Sequence, residues 1–240
     1  MRTNKFSKIK FEKRILRAME KADHLINVTI FTDPLCCWSW AFESQLQELK
    51  TILNGQATWK YRMGGMLPSW NNFHDNIISI SKPIQLSHVW MHAGEIAHKP
   101  ICHQLWTSDP PASSYPACIA VKCAQLQSAL AGESMLTLLR EACMTNGKNI
   151  AKPEILFETA DRLSLQNENF DSTCFKEDYL NDKGLKPFRS DLEFVSYYRI
   201  SRFPTLVVKS PNSKPIVMSG YRRCAEVLKT IESLSLSVVN

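Results

Sequence analysis

No apolar run in this chain approaches the ~18 to 20 residues that a membrane-spanning helix needs, so none is expected. The opening 25 residues lack the continuous apolar stretch of a secretory signal. They hold charge instead, eight Lys/Arg against three Asp/Glu. Because the whole chain of 240 residues carries a net +6, most of the excess lies in that arm. The remainder is nearly neutral, which argues against a nucleic-acid-binding face. Neither a C-x-x-C pair nor an H-E-x-x-H segment occurs, so no zinc-site pattern is expected. Internal repeats and low-complexity tracts are also missing. Eight cysteines without an export signal imply reduced thiols and a cytoplasmic location. Oligomeric state has no signature in the pattern.

Among what is present, the stretch Asp33-Pro34-Leu35-Cys36-Cys37-Trp38-Ser39-Trp40 carries the most chemistry. It follows an alternating β-branched run, Ile26 to Thr32, and precedes Phe42, Leu46, Leu49 and Leu53 at helical spacing, so it lies at a strand-to-helix junction. A cysteine opening such a helix sits beside unpaired backbone N–H groups and the positive end of the helix dipole, which favours its thiolate. Cys36 is therefore the candidate nucleophile, with a pKa expected below the free value. Trp38 and Trp40 are expected to wall an apolar groove beside it.

A second alternating run, Ala57 to Met63, ends at Gly64-Gly65, where a turn with positive φ is allowed. Residues 68–83 read as a long loop. From Ile84 to Arg199 the pattern is wholly helical. Leu86, Val89, Trp90, Ala93 and Ala97 form one apolar stripe, and Ile119, Cys123, Leu126 and Leu130 form another. Further stripes follow, one opened by Pro153 and one capped by Asp171. Strands resume at Phe203 to Val208, turn at Pro211-Asn212-Ser213 and return through Ile216 to Met218. A last amphipathic helix carries Cys224, Val227, Leu228 and Ile231. The order βαβ, helices, ββα is that of an α/β thioredoxin-like fold with a large all-helical insertion. The expected divisions are a basic extension at 1–25, a thioredoxin-like domain from 26–83 and 200–240, and a helical insertion at 84–199.

Several spaced segments carry a family resemblance. Asp33-Pro34-Leu35-Cys36, Trp38 to Phe42, Tyr61-Arg62-Met63-Gly64-Gly65, Ser113-Ser114-Tyr115-Pro116-Ala117 and Phe203-Pro204-Thr205-Leu206-Val207 together resemble the DsbA-like, FrnE-type family of thioredoxin-fold proteins. The resemblance implies a cis peptide bond before Pro204, facing the active cysteine, and a dock for substrate backbone at Phe203, Pro204 and Thr205. Redox members of that family carry a second cysteine where this chain has Ser39. A serine oxygen cannot complete a disulfide, so the resemblance implies a single-thiol oxidoreductase: Cys36 as nucleophile, Ser39 as hydrogen-bond donor to its thiolate, and a small thiol or protein disulfide as substrate. No resident cofactor is implied, and glutathione enters as a co-substrate. Two other outcomes stay open on the same resemblance, a non-catalytic adaptor that presents a partner to a protease, and a glutathione-dependent transferase or isomerase of the kappa class.

His88, His92, Glu95, His98 and Cys102 trace a drifting line along one helix. A polar face bordering the groove is the expectation, with His88 or His92 near enough to Cys36 to lend a proton, and no metal site. Cys118, Cys123, Cys143, Cys174 and Cys224 are expected to be packing residues.

Overall fold

The computed structural model describes residues 26–71, 73, 79–210 and 213–236. The basic extension at 1–25 lies outside the described residues, as do Pro211 and Asn212 of the expected turn. Strands β1 (Ile26–Thr32) and β2 (Ala57–Met63) flank helix α1 (Cys37–Ile52) and pair in parallel, Ile26 facing Ala57 and Thr32 facing Met63. Strand β3 (Thr205–Lys209) lies antiparallel to the other side of β1, and β4 (Ile216–Ser219) antiparallel to β3. The sheet order is β2-β1-β3-β4. Both runs of alternating residues at the start of the chain became strands over the residues that alternate.

Period-two patterning sorts the side chains of β1 onto two faces. Ile26, Val28 and Ile30 join Leu206 and Val208 under α1 and the last helix α9 (Cys224–Leu236), where Phe42, Leu46, Val227, Leu228 and Ile231 close the layer. Phe31 points the other way, onto Val207 and Ile200. The amide of Cys224 donates to Gln45 Oε1 at 2.8 Å, tying the start of α9 to the middle of α1.

Between β2 and β3 the described chain is helical: α2 (Leu86–Ala97), the short α3 (Leu105–Ser108), α4 (Tyr115–Gln127), α5 (Ala129–Arg140), a π-helical turn over Glu141–Thr145, α6 (Pro153–Gln166), α7 (Ser172–Leu180) and α8 (Leu185–Tyr197). Asp171 caps α7, its Oδ1 accepting from the amides of Thr173 at 2.7 Å and Cys174 at 3.1 Å. The expected stripe through Leu126 and Leu130 does not hold. Ser128 adopts an extended conformation, ends α4 and caps α5 by accepting from the Ala131 amide. Leu126 and Leu130 lie on either side of this break and are 48 % and 66 % exposed.

This helical region has its own core around Trp90, Trp106, Met135, Leu139, Phe175 and Phe188, and that core also takes in Leu35, Cys37, Trp40, Met63 and Leu67. An ionic cluster adds a second tie. Asp191 of α8 accepts from Arg62 of β2 at 2.7 Å and from the Met63 amide at 2.9 Å, and it pairs with Lys122 of α4 at 2.9 Å. The helices are thereby joined to the strand whose end borders the cysteine.

Candidate functional site

The candidate site is built where β1 hands over to α1. Cys36 is the N-cap of that helix, with φ −81° and ψ 106°, and its Sγ accepts from the Ser39 amide at 3.4 Å. One of the helix's orphan donors is satisfied by sulfur, which is the arrangement expected of a cysteine at a helix start. From the other side the Cys36 thiol donates to the carbonyl of Phe203 at 3.4 Å. The peptide bond between Phe203 and Pro204 is cis. Gly64 makes room at the third corner, since a Cβ there would lie 2.2 Å from the Phe203 ring and push it aside.

Burial decides the state of the thiol. Cys36 is only 4 % exposed, and desolvation pushes its pKa above the ordinary thiol value. The Ser39 hydroxyl and amide, with Arg140 further off, pull it down, while Asp33 pushes it up. Burial prevails, so the sulfur is a neutral S–H aimed at a carbonyl. That corrects the expectation of a depressed pKa: the helix start is present, but the dipole acts here on a group already removed from water. Cys37 is held still higher, by burial first, and its thiol points to the Val89 carbonyl at 3.9 Å.

Ser39 is at the helical position expected of it, but its amide rather than its hydroxyl contacts Cys36. The hydroxyl is buried without a hydrogen-bond partner, though near enough to the sulfur to favour the thiolate. Trp38 lines the groove. Trp40 does not. Two residues further along the helix it has turned some 200° away, is 6 % exposed, and belongs to the helical core. Thr205 is likewise withdrawn. As the first residue of an inner strand it is paired to Phe31 and Ser219 on its two sides, and its Oγ1 bonds the Arg202 carbonyl at 2.7 Å. The Pro204 carbonyl is taken by the Gly220 amide at 2.7 Å. Of the three residues expected to dock a substrate, Phe203 alone borders the groove.

That groove encloses about 740 Å³ and runs from Cys36 and Trp38 across Val89 and Trp90 to Arg202 and Tyr221. A neighbouring cavity of about 690 Å³ shares Trp38 and Tyr221 and contains His92, Glu95 and His98. The His92 ring meets Trp38 edge-on at 5.5 Å, and its Nδ1 lies 3.5 Å from Glu95. Neither His88 nor His92 lines the Cys36 groove, so the expected proton donor is not there. Among the described residues no cluster of metal-ligating side chains occurs.

Sequence reasoning gave no role to Asp33 and Ser114, though both fall within its motifs, and did not single out Arg140. Asp33 is fully buried beneath the Cys36 turn, where its carboxyl accepts from the amides of Leu35 at 2.9 Å and Met66 at 2.7 Å and from the Ser114 hydroxyl at 2.8 Å. Burial raises its pKa despite these donors. Arg140 reaches from α5 to the Thr32 hydroxyl, the Asp33 carbonyl and Glu43. An acid placed between a strand end and a helix start was the available signal for Asp33. Arg140 had none, because its partners are about a hundred residues away in the chain.

Residues 29–227 match a family model described as thioredoxin. A curated relative, the ClpXP adapter protein SpxH of Halalkalibacterium halodurans, is 30 % identical over 187 residues, covering 78 % of this chain and 60 % of the relative. The chain thus spans about three fifths of the length of the curated relatives it matches. A putative protein disulfide isomerase from Nitrosomonas europaea superposes with a TM-score of 0.71 at 20 % identity, over 90 % of this chain and 100 % of that one. The cytosolic disulfide reductase DsbM from Pseudomonas aeruginosa gives 0.60 at 18 %, over 88 % and 96 %. At such identities the two structures speak for the fold.

Proposed function

Given that the chain belongs to the thioredoxin family, we propose that it is a recruiting module of the adaptor kind, which holds an extended segment of a client protein in the Cys36 groove for a ClpXP-type protease. Cys36 is then part of the groove's floor and has no chemical step to perform. The observation that carries this reading is the state of that thiol: buried, pushed toward its neutral form, and bonded to the Phe203 carbonyl. No second sulfur stands at Ser39 to close a disulfide. Three relatives named as ClpXP adapters point the same way, each longer than this chain. A cytoplasmic location fits, since all eight cysteines are free.

Single-thiol exchange is the second reading, favoured by the hydrogen bond from the Ser39 amide to Cys36 Sγ. In it the Cys36 thiolate attacks one sulfur of a client disulfide. The client's S–S bond breaks, the other half leaves as thiolate, and a thiol such as glutathione then attacks the mixed disulfide to free Cys36.

Alkylation with iodoacetamide over a pH series, followed by peptide mapping, separates the two. Adaptor function predicts that Cys36 reacts more slowly than the partly exposed Cys102 and Cys174, and only at high pH. It also predicts that Cys36→Ala preserves client turnover in cells carrying ClpXP. A Cys36 that alkylates first below pH 7, with turnover lost in Cys36→Ala, would overturn it in favour of exchange.

A further inference from the structure

The Cys36 groove has two unlike walls. Leu35, Trp38, Val89 and Trp90 make one side apolar. On the other stand Arg202 and Arg222, both exposed, and no carboxylate lines this groove among the described residues. Neither arginine is paired with a described acid. The adjoining cavity beyond Trp38 and Tyr221 differs in kind, with Glu95 and Glu226 beside its His92, His98 and Arg223. Cations without carboxylates beside them are thus the mark of the compartment that holds the cysteine. The loop carrying Arg202 adds backbone donors, because the amides of Arg202 and Phe203 have no hydrogen-bond partner among the described residues.

Resting on the recruitment reading, we infer that the client segment is acidic: an extended peptide that lays an apolar side chain against Trp38 and Trp90 and sets Asp or Glu carboxylates on Arg202 and Arg222. Guanidinium and carboxylate match as planar, two-pronged partners, so a pair of arginines on one rim selects carboxylates over amides of the same shape. The apolar wall supplies the rest of the affinity by burial, and about 740 Å³ is within the usual range for a site that encloses a few side chains. A basic segment is repelled by the same rim and finds no acid within the groove, which makes the selection one of sign.

The test is a randomised octapeptide display library panned on the full chain. Selected sequences are expected to combine Asp or Glu with a large apolar residue. For a selected peptide followed by fluorescence anisotropy, the double variant R202Q/R222Q is expected to weaken binding about tenfold or more. Replacing the peptide's acids by Asn and Gln should weaken it comparably on the parent and hardly at all on the double variant. Both arginines are exposed, so an unchanged melting temperature checks that the variant is folded. Binders without acidic enrichment, or affinity indifferent to R202Q/R222Q, would overturn the inference and leave the recruitment reading standing. A library that yields no binder, or binding that survives the groove-filling change Val89→Trp, would overturn both.

Discussion

Asp33 and Asp191 are equally buried, at 0 % and 1 % exposure, yet they are solvated in opposite ways. Asp191 faces two cations, Arg62 and Lys122, whose side chains are themselves only 10 % and 9 % exposed. Asp33 faces neutral donors, namely two amides, the Ser114 hydroxyl and the Cys118 thiol. Full charge compensation makes the first a joint, connecting β2 to α4 and α8. Dipoles alone compensate the second, whose pKa burial raises, and it is the second that lies beneath the cysteine. The same carboxyl pushes the Cys36 pKa up. Charge on Asp33 therefore favours a neutral Cys36, like charges discouraging one another, which suits a groove floor better than a nucleophile.

The comparison breaks most sharply at Asp191. Among the described residues, removing that side chain leaves two cations buried with no counter-ion, and Arg62 keeps the Phe194 ring, whose centre is 3.4 Å from its guanidinium carbon. Asp191→Ala is expected to cost about 3–5 kcal/mol in urea denaturation. A loss under 1 kcal/mol would mean that water reaches the cluster and that it is no joint. Asp33→Asn removes an acceptor but no charge partner, so a smaller loss of about 1–3 kcal/mol is expected. Its pH dependence is the sharper readout. The folded-state pKa of Asp33 is raised above 3.8, so the native chain holds that proton more tightly than the unfolded chain does. The resulting stability is full below the unfolded value and is lost as pH rises through the folded one. Asparagine has no such proton, so the gap between parent and variant narrows as pH climbs from about 4. A gap that widens with pH would place Asp33 among the carboxylates that folding stabilises.

The fold was legible wherever a local pattern carried it. Ile26 to Thr32 and Ala57 to Met63 alternate, and they are strands over those residues. Asp171 before Ser172 and Thr173 announced a cap and is one. Around the cysteine, what was legible was again local: the helix start, and Trp38 beside the groove. The different fates of Trp38 and Trp40 follow from helical rotation and were readable too. Burial of Cys36 was not, because the groups that cover it come from far along the chain, Phe203 foremost. Arg140 and Asp191 escaped notice for the same reason. A charged residue on a helix reads as solvent-facing until its partners are known, and here those partners lie on β2 and at the end of β1. Ser128 was a missed local signal, a serine that is both an end and a cap within a continuous apolar stripe.

Ser39 completes the series as the polar side chain with no hydrogen-bond partner among the described residues, and the smallest effect is expected there. Its hydroxyl is buried and unbonded, so the folded chain already bears the cost of desolvating it. Alanine removes that cost along with the oxygen, and the cap survives because the donor to Cys36 is the residue-39 amide, which every residue but proline supplies. Ser39→Ala should therefore change stability by no more than about 1 kcal/mol in either direction. The sulfur would still register the change. With the hydroxyl gone, the first of the influences that lower the Cys36 pKa is gone, and alkylation of Cys36 should begin at higher pH than in the parent. Loss of more than about 2 kcal/mol would reveal a partner for the hydroxyl, and an unmoved alkylation profile would show that the hydroxyl has no influence on the thiol.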